Sequence, residues 1–445
     1  MNGKMNRSFP LAVQRSRIEQ LALGIAVLLA TGMWFYMQGV FLPFEREHFA
    51  ALGRPPDPGD LYPRWYGAHE LLLHGRDPYS PEISHEIQTF YYGHPLDTTG
   101  VDRGRDEQRF AYPLYVAFFL APTIWMPFPV VQIVVRCTLA VATAASVLLW
   151  LRALRWRLSL IRLLTIVVLT LSSPPLVQGL KLQQLALLVA FFLAACAALL
   201  SKGKLFWAGC FLALATSKPQ LALLPMIWFL IWATGDWKKR QRLVWGFGGT
   251  MAVLIGGAQL VSPGWLPCFL HGLVAYTHYA GMSSLLDAYL TPPVAKPVAA
   301  VVLGVLLVFC VHWRRDPAEA PSFFARFSLI LAVGTITLPQ LLPPFNQVLL
   351  LPGVLLLIHR WNELWDRGGI VRAVCGVGAG LVLLPWFAAS AIAVTHIVAP
   401  IVPLRDVWAS PLIMSFGVPP LVAGLLMVLL VGTLAQARAP GPTYP

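Results

Sequence analysis

The residues that could carry out acid–base chemistry are concentrated in one stretch, residues 45–109, called here the acidic segment. It holds twelve of the chain's twenty Asp and Glu residues, five of its ten histidines and seven arginines, which gives a net charge of −5. The rest of the chain carries only eight acids against twenty-six Lys and Arg. A carboxylate acts as a general base when it lies within hydrogen-bond reach of the proton that it removes. We therefore expect proton-transfer chemistry in this segment.

Asp60 is the first candidate for such a base. It follows the turn-forming sequence PPDPG and opens a stretch with helical spacing. Aspartate is also favoured as a helix N-cap, where it contributes about 1 kcal/mol. The sequence leaves both roles open: a capping carboxylate, or a general base that deprotonates a hydroxyl at the outer membrane surface. The aromatic and polar side chains that follow it at helical spacing are Tyr62, Trp65, Tyr66 and His69.

Three cations stand within or beside apolar sequence: Arg136, Lys181 and Lys218. A charge at membrane depth costs roughly 3 kcal/mol or more and is usually paired or faces a cavity. A lysine near a helix end can instead extend its ammonium group to the interface. The alternative is that these cations hold an anionic group such as a lipid phosphate. The amides beside the two lysines, which could supply further hydrogen bonds, are Gln183, Gln184 and Gln220.

A proline-rich stretch, residues 339–353, interrupts apolar sequence in the C-terminal half and contains Asn346 and Gln347. Irregular backbone at membrane depth is tolerated where it lines a cavity. The two amides could therefore bind a sugar, or they could belong to a polar turn between two spans. The sequence leaves both interpretations open.

Other catalytic and metal-binding signatures are missing from the sequence. It has no GxSxG, HExxH or P-loop motif and no GxGxxG that opens a βαβ unit. His69, His74, His85 and His94 lack the spacing of a metal site, and the six cysteines form no CxxC pair. We therefore expect no metal, no cofactor and no disulfide framework.

The composition indicates an all-α, polytopic integral membrane protein. Hydrophobic residues make up 57% of the 445 residues and charged residues only 12%. Several apolar runs approach the ~20 residues that a helix needs to cross a bilayer, and the alternating segments of a barrel are absent. The net charge of +13 lies in short clusters between apolar runs, as the positive-inside rule predicts. Binding to nucleic acid is therefore not indicated.

The alternation of apolar runs and basic clusters predicts about twelve spans with both termini cytoplasmic. The first span, 20–43, is expected to be an uncleaved helix that places the acidic segment outside. Residues 110–128 are predicted to form a helix at the outer surface, and residues 205–234 a hairpin with Lys218 near its tip. The other predicted spans are 129–151, 162–178, 184–200, 243–262, 297–313, 323–342, 346–358, 370–397 and 411–434.

This topology divides the chain into four regions. A cytoplasmic N-terminus (1–19) precedes an N-terminal membrane module (20–235), whose large first external loop (45–128) is the predicted catalytic region. A C-terminal membrane module (236–435) and a short cytoplasmic tail (436–445), predicted to be disordered, complete the chain.

Four motifs follow one another within the first 235 residues. The first two contain Asp60, Ala68, Leu72, Gly75, Asp77, Pro78, Tyr79, Phe110, Tyr112 and Pro113. The other two are the stretches GLKLQQLALLVAFFLAA and WAGCFLALATSKPQLALL. In this order the motifs resemble those of the polytopic GT-C glycosyltransferases of family 87. The chain departs from the family at Leu114, where a second proline is usual. It departs again at Asn346 and Gln347, where the family often has a histidine-containing outer turn.

The resemblance implies a GT-C glycosyltransferase that takes a hexose, most often mannose, from a polyprenyl phosphate at the outer side of the plasma (inner) membrane. Asp60 would deprotonate a hydroxyl of an envelope lipid or glycan, which attacks the anomeric carbon with inversion and expels the polyprenyl phosphate. The cations expected to hold that phosphate are Lys181, Lys218, Arg64 and Arg136. The residues expected to contact sugar or acceptor are Tyr62, Trp65, Tyr66, His69, Asp77, Tyr79, Tyr112, Gln183, Gln184, Gln220, Asn346 and Gln347.

Two other functions stay open: a lipid or sugar transporter or flippase, and a structural or assembly subunit of an envelope complex. A transporter would show inverted repeats with interrupted helices in matching positions of two halves. The sequence has no such symmetry, and a 65-residue acidic segment is unusual for a carrier. Replacing Asp60 with Asn or Ala separates an enzyme from both alternatives.

Overall fold

A computed structural model describes residues 8–51, 59–97, 99–103, 105–279, 283–339, 341–399, 404 and 406–438. Within these ranges the chain is 79% helical and contains no β-strand, which confirms the predicted all-α class. Most of the predicted turn PPDPG lies outside the described residues. So does the predicted disordered tail, except for residues 436–438, which belong to the last helix.

The first span is longer than the sequence predicts. Helix α1 (Ser8–Tyr36) continues through a π-helical turn (Met37–Phe41) into α2 (Leu42–Ala51). Residues 16–51 form one apolar helix that is long enough to cross a membrane. The predicted end at residue 43 is therefore too early, and Glu45 of the acidic segment belongs to the end of this helix.

The acidic segment folds into two helices, α3 (Leu61–His74) and α4 (Pro81–Tyr92). Asp60 occupies the N-cap position of α3 without making a capping hydrogen bond with its side chain. Gly75 ends α3 in the left-handed conformation, with φ of 65°, and the Ser80 hydroxyl caps α4. These two caps make α3 and α4 an antiparallel pair joined by a tight turn.

Aromatic packing fixes this pair above the start of the next long helix. The Tyr62 ring of α3 stacks on Phe90 of α4 at 3.6 Å and meets Phe128 edge-on at 5.0 Å. Gly67 leaves the space that the Phe110 ring fills, since a Cβ at that glycine would lie 2.4 Å from the ring. The acidic segment is thereby joined to the membrane helices through a continuous apolar cluster.

The segment that follows contains a much shorter helix than the one predicted for residues 110–128. Helix α5 (Val116–Leu120) continues into a 3-10 turn (Ala121–Thr123) and stops before Pro127. Helix α6 (Phe128–Ala153) is long and apolar enough to be a span, in agreement with the prediction for residues 129–151.

The predicted third span is broken. Helices α7 (Leu160–Leu171) and α8 (Pro174–Lys181) meet at an angle of 56°. Pro174 and Pro175 have no amide hydrogen, so the hydrogen-bond ladder of α7 cannot continue through them. The bend brings the end of α8 beside the acidic segment, where the Leu182 carbonyl accepts a hydrogen bond from the Asp60 amide at 3.0 Å.

The centre of the molecule is formed by α9 (Leu185–Leu200), α10 (Leu205–Ala215), α11 (Pro219–Thr234) and α12 (Trp237–Val261). The predicted break at residues 217–220 is present, and Lys218 is the N-cap residue of α11. Helices α10 and α12 pack with their backbones in contact. A Cβ at Gly209 would lie 2.0 Å from a carbonyl oxygen of α12, so only glycine fits there.

The C-terminal half is also helical, and a 3-10 helix (Pro344–Leu350) interrupts it at the predicted proline-rich stretch. Its helices are α13 (Trp265–Tyr279), α14 (Leu285–Tyr289), α15 (Pro292–Trp313), α16 (Pro321–Thr337), α17 (Leu351–His359), α18 (Trp361–Trp365), α19 (Gly369–Val398), α20 (Ser410–Ile413) and α21 (Val418–Arg438).

Six helices in the described part of the chain can span a membrane by length and composition, or seven if α7 and α8 count as one bent span. The protein is therefore a multi-pass membrane protein, but the predicted count of twelve spans is not confirmed. The difference arises because several predicted spans are short or interrupted helices, such as the 16 residues of α9 and the 11 residues of α10. Apolar sequence alone does not show where a helix stops.

Candidate active site

A cavity of about 330 Å³ lies where the start of α3 and the start of α11 meet α13 and the segment before the 3-10 helix. Apolar side chains such as Leu223 and Phe269 form part of its wall. Its polar lining residues are Asp60, Asp106, Gln108, Arg109, Tyr112, Gln184, Lys218, Gln220 and Tyr276. Five of these nine are candidates predicted from the sequence.

The Asp60 carboxylate lines this cavity and is held by Gln184. The Gln184 side-chain amide donates a hydrogen bond to Asp60 Oδ2, and the Gln184 side chain is only 1% exposed. The preceding turn requires glycine, because Gly59 has φ of 87° and a Cβ there would lie 2.9 Å from Gln183 Oε1. Of the two roles that the sequence leaves open for Asp60, side-chain capping is not observed.

Lys218 brings a buried positive charge to the same cavity. Its Nζ donates to Gln184 Oε1 at 3.1 Å and to Asn346 Oδ1 at 3.5 Å, and it lies 4.8 Å from the centre of the Phe345 ring. Both acceptors are neutral amide oxygens. An ammonium group has three donors, so these two contacts leave one for a ligand.

The amide of Gln184 therefore connects a carboxylate and an ammonium group. Its nitrogen donates to Asp60 while its oxygen accepts from Lys218. With Asn346, the network joins four segments that are far apart in the sequence. Such a network can hold a base and a cation at fixed positions beside one cavity.

Arg64, predicted to hold phosphate, supports the backbone of the site instead. It is only 2% exposed, and it donates to the Asp60 carbonyl at 2.9 Å and to the Gln183 carbonyl at 2.7 Å. Its guanidinium group also lies 5.2 Å from the centre of the Tyr112 ring. Gln183 itself has a positive φ of 48°, and its side chain donates to the Lys181 carbonyl at 2.6 Å.

The other two predicted phosphate-binding cations do not line the cavity. Lys181 forms an ion pair with Glu45 in which the two side chains are 13% and 15% exposed, and its ammonium lies over the Phe41 ring. Arg136 is exposed on α6, within a candidate span. Among the described residues, the cations that line the cavity are Lys218 and Arg109.

The aromatic residues of α3 that were predicted to bind sugar serve mainly to pack the acidic segment. Tyr62 stacks within the apolar cluster, and Trp65 donates its indole N–H to the Thr123 carbonyl at 3.3 Å. The Tyr66 hydroxyl donates to Glu86 Oε2 at 2.7 Å. None of the three lines the cavity.

The candidates at the end of α3 and in the following turn are likewise engaged elsewhere. His69 contacts Glu70 at 3.1 Å. Asp77 is exposed and accepts a hydrogen bond from the Tyr79 amide at 3.0 Å, which closes the turn. The Tyr79 hydroxyl donates to the carbonyl of Tyr112 at 2.6 Å and so supports a residue that does line the cavity. 

Arg76, in the turn between α3 and α4, joins the two helices through ion pairs. Arg76 donates to Glu70 at 2.9 Å and to Glu86 at 2.7 Å. The hydrogen bond from Arg76 holds the pKa of Glu86 below its usual value, and the bond from Tyr66 acts in the same direction, while partial burial opposes them. These contacts fix the relative position of the two helices.

One grouping of possible metal ligands was not predicted from spacing. The ligand atoms of His69, Glu70 and His74 lie within 4.8 Å of one another at the end of α3. The carboxylate of Glu70 is already engaged on both oxygens, by His69 and by Arg76. Ion pairing within the fold therefore accounts for the positions of Glu70 and His69.

Four polar residues of the cavity were missed by the sequence reasoning: Asp106, Gln108, Arg109 and Tyr276. The first three lie in the charged run DRGRDEQR, directly before the FAYP motif. That position next to a family-like motif was the signal that could have identified them. Tyr276 lies on α13, in sequence that carries no comparable signal.

Two apolar grooves lie between the membrane helices, and one of them adjoins the cavity. One, of about 320 Å³, lies between α11, α15 and α16 and shares Leu223 with the cavity wall. The other, of about 220 Å³, lies between α7, α8, α17 and α19. It contains the predicted sugar-binding residue Gln347, which follows Asn346 in the sequence but lies outside the cavity.

Comparison with protein families gives one match. The model of glycosyltransferase family 87 matches residues 110–339, which is 230 of the 445 residues. This range includes Gln184 and Lys218, while Asp60 precedes it and Asn346 follows it. Searches of curated proteins and of solved structures gave no match.

Proposed function

The chain belongs to glycosyltransferase family 87, and on this premise we propose that it transfers a hexose, with mannose the first candidate, from a polyprenyl-phosphate sugar. The acceptor is a hydroxyl group of an envelope lipid or glycan. The architecture is of the GT-C type, and the cavity opens at the outer side of the plasma membrane. No metal or cofactor takes part in this proposal.

The observation that carries the proposal is the junction at Gln184, where a carboxylate and an ammonium group meet one amide beside a cavity. Transfer from a sugar phosphate needs a base for the acceptor hydroxyl and a positive charge for the departing phosphate. Asp60 and Lys218 supply these two groups.

The reaction we propose is a single displacement. The Asp60 carboxylate takes the proton of the acceptor hydroxyl, and the oxygen attacks the anomeric carbon of the donor sugar. The bond between that carbon and the phosphate oxygen breaks, and its electron pair leaves with the polyprenyl phosphate. Attack from the side opposite the leaving group inverts the anomeric configuration.

Lys218 stabilises the leaving phosphate because its charge is held by neutral partners in a site largely shielded from water. Preorganised charges in such sites stabilise a developing negative charge far better than they would in water. Arg64 acts indirectly by holding the backbone of Asp60. We do not assign a phosphate contact to Lys181, which is engaged by Glu45.

The groove between α11, α15 and α16 supports a lipid-linked donor. It meets the cavity at Leu223, five residues after Lys218 in the sequence. Five residues of helix rise about 7.5 Å, so a phosphate at the start of α11 would lie roughly one and a half turns from the groove. An isoprenoid chain attached to that phosphate would enter an apolar channel. The sequence offers no phosphate-binding loop for a nucleotide donor.

The test is a transfer assay with the purified protein in lipid nanodiscs. Polyprenyl-phosphate mannose and an extract of envelope lipids are supplied, and mass spectrometry follows the appearance of a hexose on a lipid. We expect Asp60→Asn and Asp60→Ala to lower the rate by about a hundredfold or more, the usual effect of losing a general base. Glu82→Gln, an exposed carboxylate of the same acidic segment outside the cavity, is the matched control.

Three outcomes would contradict the proposal. Full activity in Asp60→Asn would remove Asp60 from the mechanism. A wild-type protein that consumes no sugar donor under any condition would exclude the enzymatic function. Movement of the donor across a sealed bilayer without any glycosyl product would favour the transporter alternative. Equal elution of wild type and variants on size exclusion shows that each is folded.

A further inference from the structure

Asp106 is a second carboxylate in the wall of the same cavity, but it is placed differently from Asp60. Asp60 is half-buried and is bound by the amide of a membrane helix, Gln184. Asp106 is exposed and belongs to the loop that follows α4. Arg109 of the same loop and Tyr276 of α13 line the cavity with it.

The loop that carries Asp106 is held in place by α4. The Tyr92 hydroxyl donates to the Asp106 carbonyl at 2.7 Å, and the Gln88 side chain donates to the Glu107 carbonyl at 2.9 Å. The backbone N–H of Gln108 donates to the Asp106 carboxylate at 3.1 Å. The fold therefore presents this carboxylate to the cavity at a defined position, rather than on a freely moving loop.

The backbone conformation of Gln108 indicates that surrounding contacts hold the loop in this position. Gln108 has φ of 48°, a conformation that residues other than glycine seldom adopt and that persists only when surrounding contacts enforce it. The described part of the chain has three such residues, Gln108, Arg155 and Gln183. Two of them flank the cavity, one beside Asp106 and one beside Gln184.

The polar residues of the cavity fall into two groups with different chemistry. Lys218, which Gln184 connects to Asp60, supplies a positive charge that suits a phosphate. The wall at Asp106 presents a carboxylate, which accepts hydrogen bonds from hydroxyl groups and repels a phosphate. Arg109, which pairs with Glu107, adds donors for the oxygen atoms of a polyol. A ligand rich in hydroxyl groups can donate to the carboxylate and accept from the guanidinium.

We infer that Asp106, with Arg109 and Tyr276, binds the hydroxyl-rich head group of the acceptor and so determines acceptor specificity. The inference rests on the proposed function and extends it by naming the substrate class at this end of the cavity: a sugar or other polyol head group. Asp60 then removes the proton from one hydroxyl of that head group, and Asp106 holds its neighbours.

The experiment separates acceptor binding from donor chemistry. Wild type, Asp106→Asn, Asp60→Asn and the control Glu82→Gln are assayed in nanodiscs with polyprenyl-phosphate mannose. Transfer is measured against increasing envelope lipid extract, and release of polyprenyl phosphate is measured without extract, where water is the acceptor. Loss of one hydrogen bond to a charged group weakens binding by about tenfold or more. 

We expect Asp106→Asn to raise the half-saturating extract concentration by about that factor and to lower the rate of donor hydrolysis by a much smaller factor. Asp60→Asn should lose both reactions, and Glu82→Gln neither. A parallel loss of transfer and hydrolysis in Asp106→Asn would overturn the inference, because Asp106 would then act on the donor or on the fold. An unchanged half-saturating concentration would also overturn it. If the wild type releases no polyprenyl phosphate and transfers no hexose, the proposed function itself has failed.

Discussion

At Lys218 a positive charge is buried where folding gains little from it. Lys218 is only 7% exposed, and its hydrogen-bond partners are two neutral amides. Removing a charge from water is costly, and an apolar residue of similar volume at such a position is often neutral or stabilising. Lys181 is the opposite case, because its charge is neutralised by Glu45.

These two lysines should therefore respond differently to the same substitution. We expect Lys218→Met to lower donor turnover by about a hundredfold or more, the usual effect of losing one group that stabilises a developing charge. Its melting temperature should equal or exceed that of the wild type. Lys181→Met leaves Glu45 unpaired in a mostly buried position, so it should lower the melting temperature more than it lowers turnover. Differential scanning fluorimetry and the transfer assay measure the two quantities.

The reverse pattern would make Lys218 the structural lysine and Lys181 the functional one. If Lys218→Met unfolds the protein at lower temperature while the surviving fraction turns over donor normally, Lys218 is structural. Lys218→Arg serves as a matched control for charge, since it keeps the cation but changes its shape. It should retain more activity than Lys218→Met if charge is the property that matters.

At the scale of elements, interruptions in the helices create the site. Helix α8 begins at Pro174, α11 at Pro219 and the 3-10 helix at Pro344, each with a proline in its first turn. A proline is accepted there because the first amides of a helix have no partner within it. Lys218 and Asn346 lie next to two of these prolines, and Gln184 is the N-cap residue of α9 just after α8 ends. At such breaks side chains and backbone can face a cavity instead of lipid.

The sequence predicted where helices are interrupted better than it predicted which interrupted segments contact one another. The breaks at Lys218 and at Asn346 followed from proline and polar residues in apolar runs, and both are present. The bend at Pro174 was missed because a run of apolar residues on either side suggested one continuous span. That Gln184 would join Asp60 to Lys218 depends on three-dimensional packing between distant segments, which periodicity cannot supply.

The contact between α3 and α4 should depend on pH. Arg76 lowers the pKa of Glu86, so in the folded protein this carboxylate stays ionised at pH values where the unfolded chain already binds a proton. The stabilisation is fully present above the ordinary carboxyl pKa of 4.5 and is lost as the pH falls through the lower, folded value. We expect Glu86→Gln to reduce the melting temperature at neutral pH and to make its decline toward acid pH shallower than in the wild type.

A double variant isolates this contact from other acid-sensitive groups. Once Arg76 is replaced in Arg76→Gln, the further change Glu86→Gln should alter the pH profile much less, because the partner with the largest effect on the Glu86 pKa has gone. Melting curves recorded between neutral and acid pH supply the comparison. Equal slopes for wild type and Glu86→Gln would show that this contact does not contribute to acid sensitivity.

At the scale of the whole molecule, the long helices separate basic clusters from the cavity. Helix α6 begins at Phe128, which packs on the acidic segment, and ends beside Arg152 and Arg155. Its 26 residues rise about 39 Å, more than the roughly 30 Å hydrocarbon core of a bilayer. The fold class, and the position of basic clusters at the helix ends away from the acidic segment, were predictable from composition and charge. The number of spans was not, because an apolar run shows hydrophobicity but not the position of a bend.

Helix α12 also connects a basic end with the cavity side, in the opposite chain direction to α6, and its basic end meets α15. Arg240, in the first turns of α12, donates to the carbonyl of Arg314 at 2.6 Å, just past the end of α15. At the opposite end, Trp265 follows α12 and packs edge-on against Tyr115 of the apolar cluster beneath the cavity. Positive clusters favour the cytoplasmic side. The cavity should therefore open on the other side, where a donor in the outer leaflet would reach it.

Cysteine labelling tests this orientation directly. Val101 is 90% exposed in the acidic segment, and the Lys239 side chain is 84% exposed at the basic end. In a background without the accessible cysteines Cys137, Cys210 and Cys268, Val101→Cys should react with a membrane-impermeant maleimide in sealed right-side-out vesicles. Lys239→Cys should react only after the membrane is permeabilised. The opposite pattern would place the carboxylate of Asp60 on the cytoplasmic side, and then a donor presented from the outer leaflet could not reach Lys218.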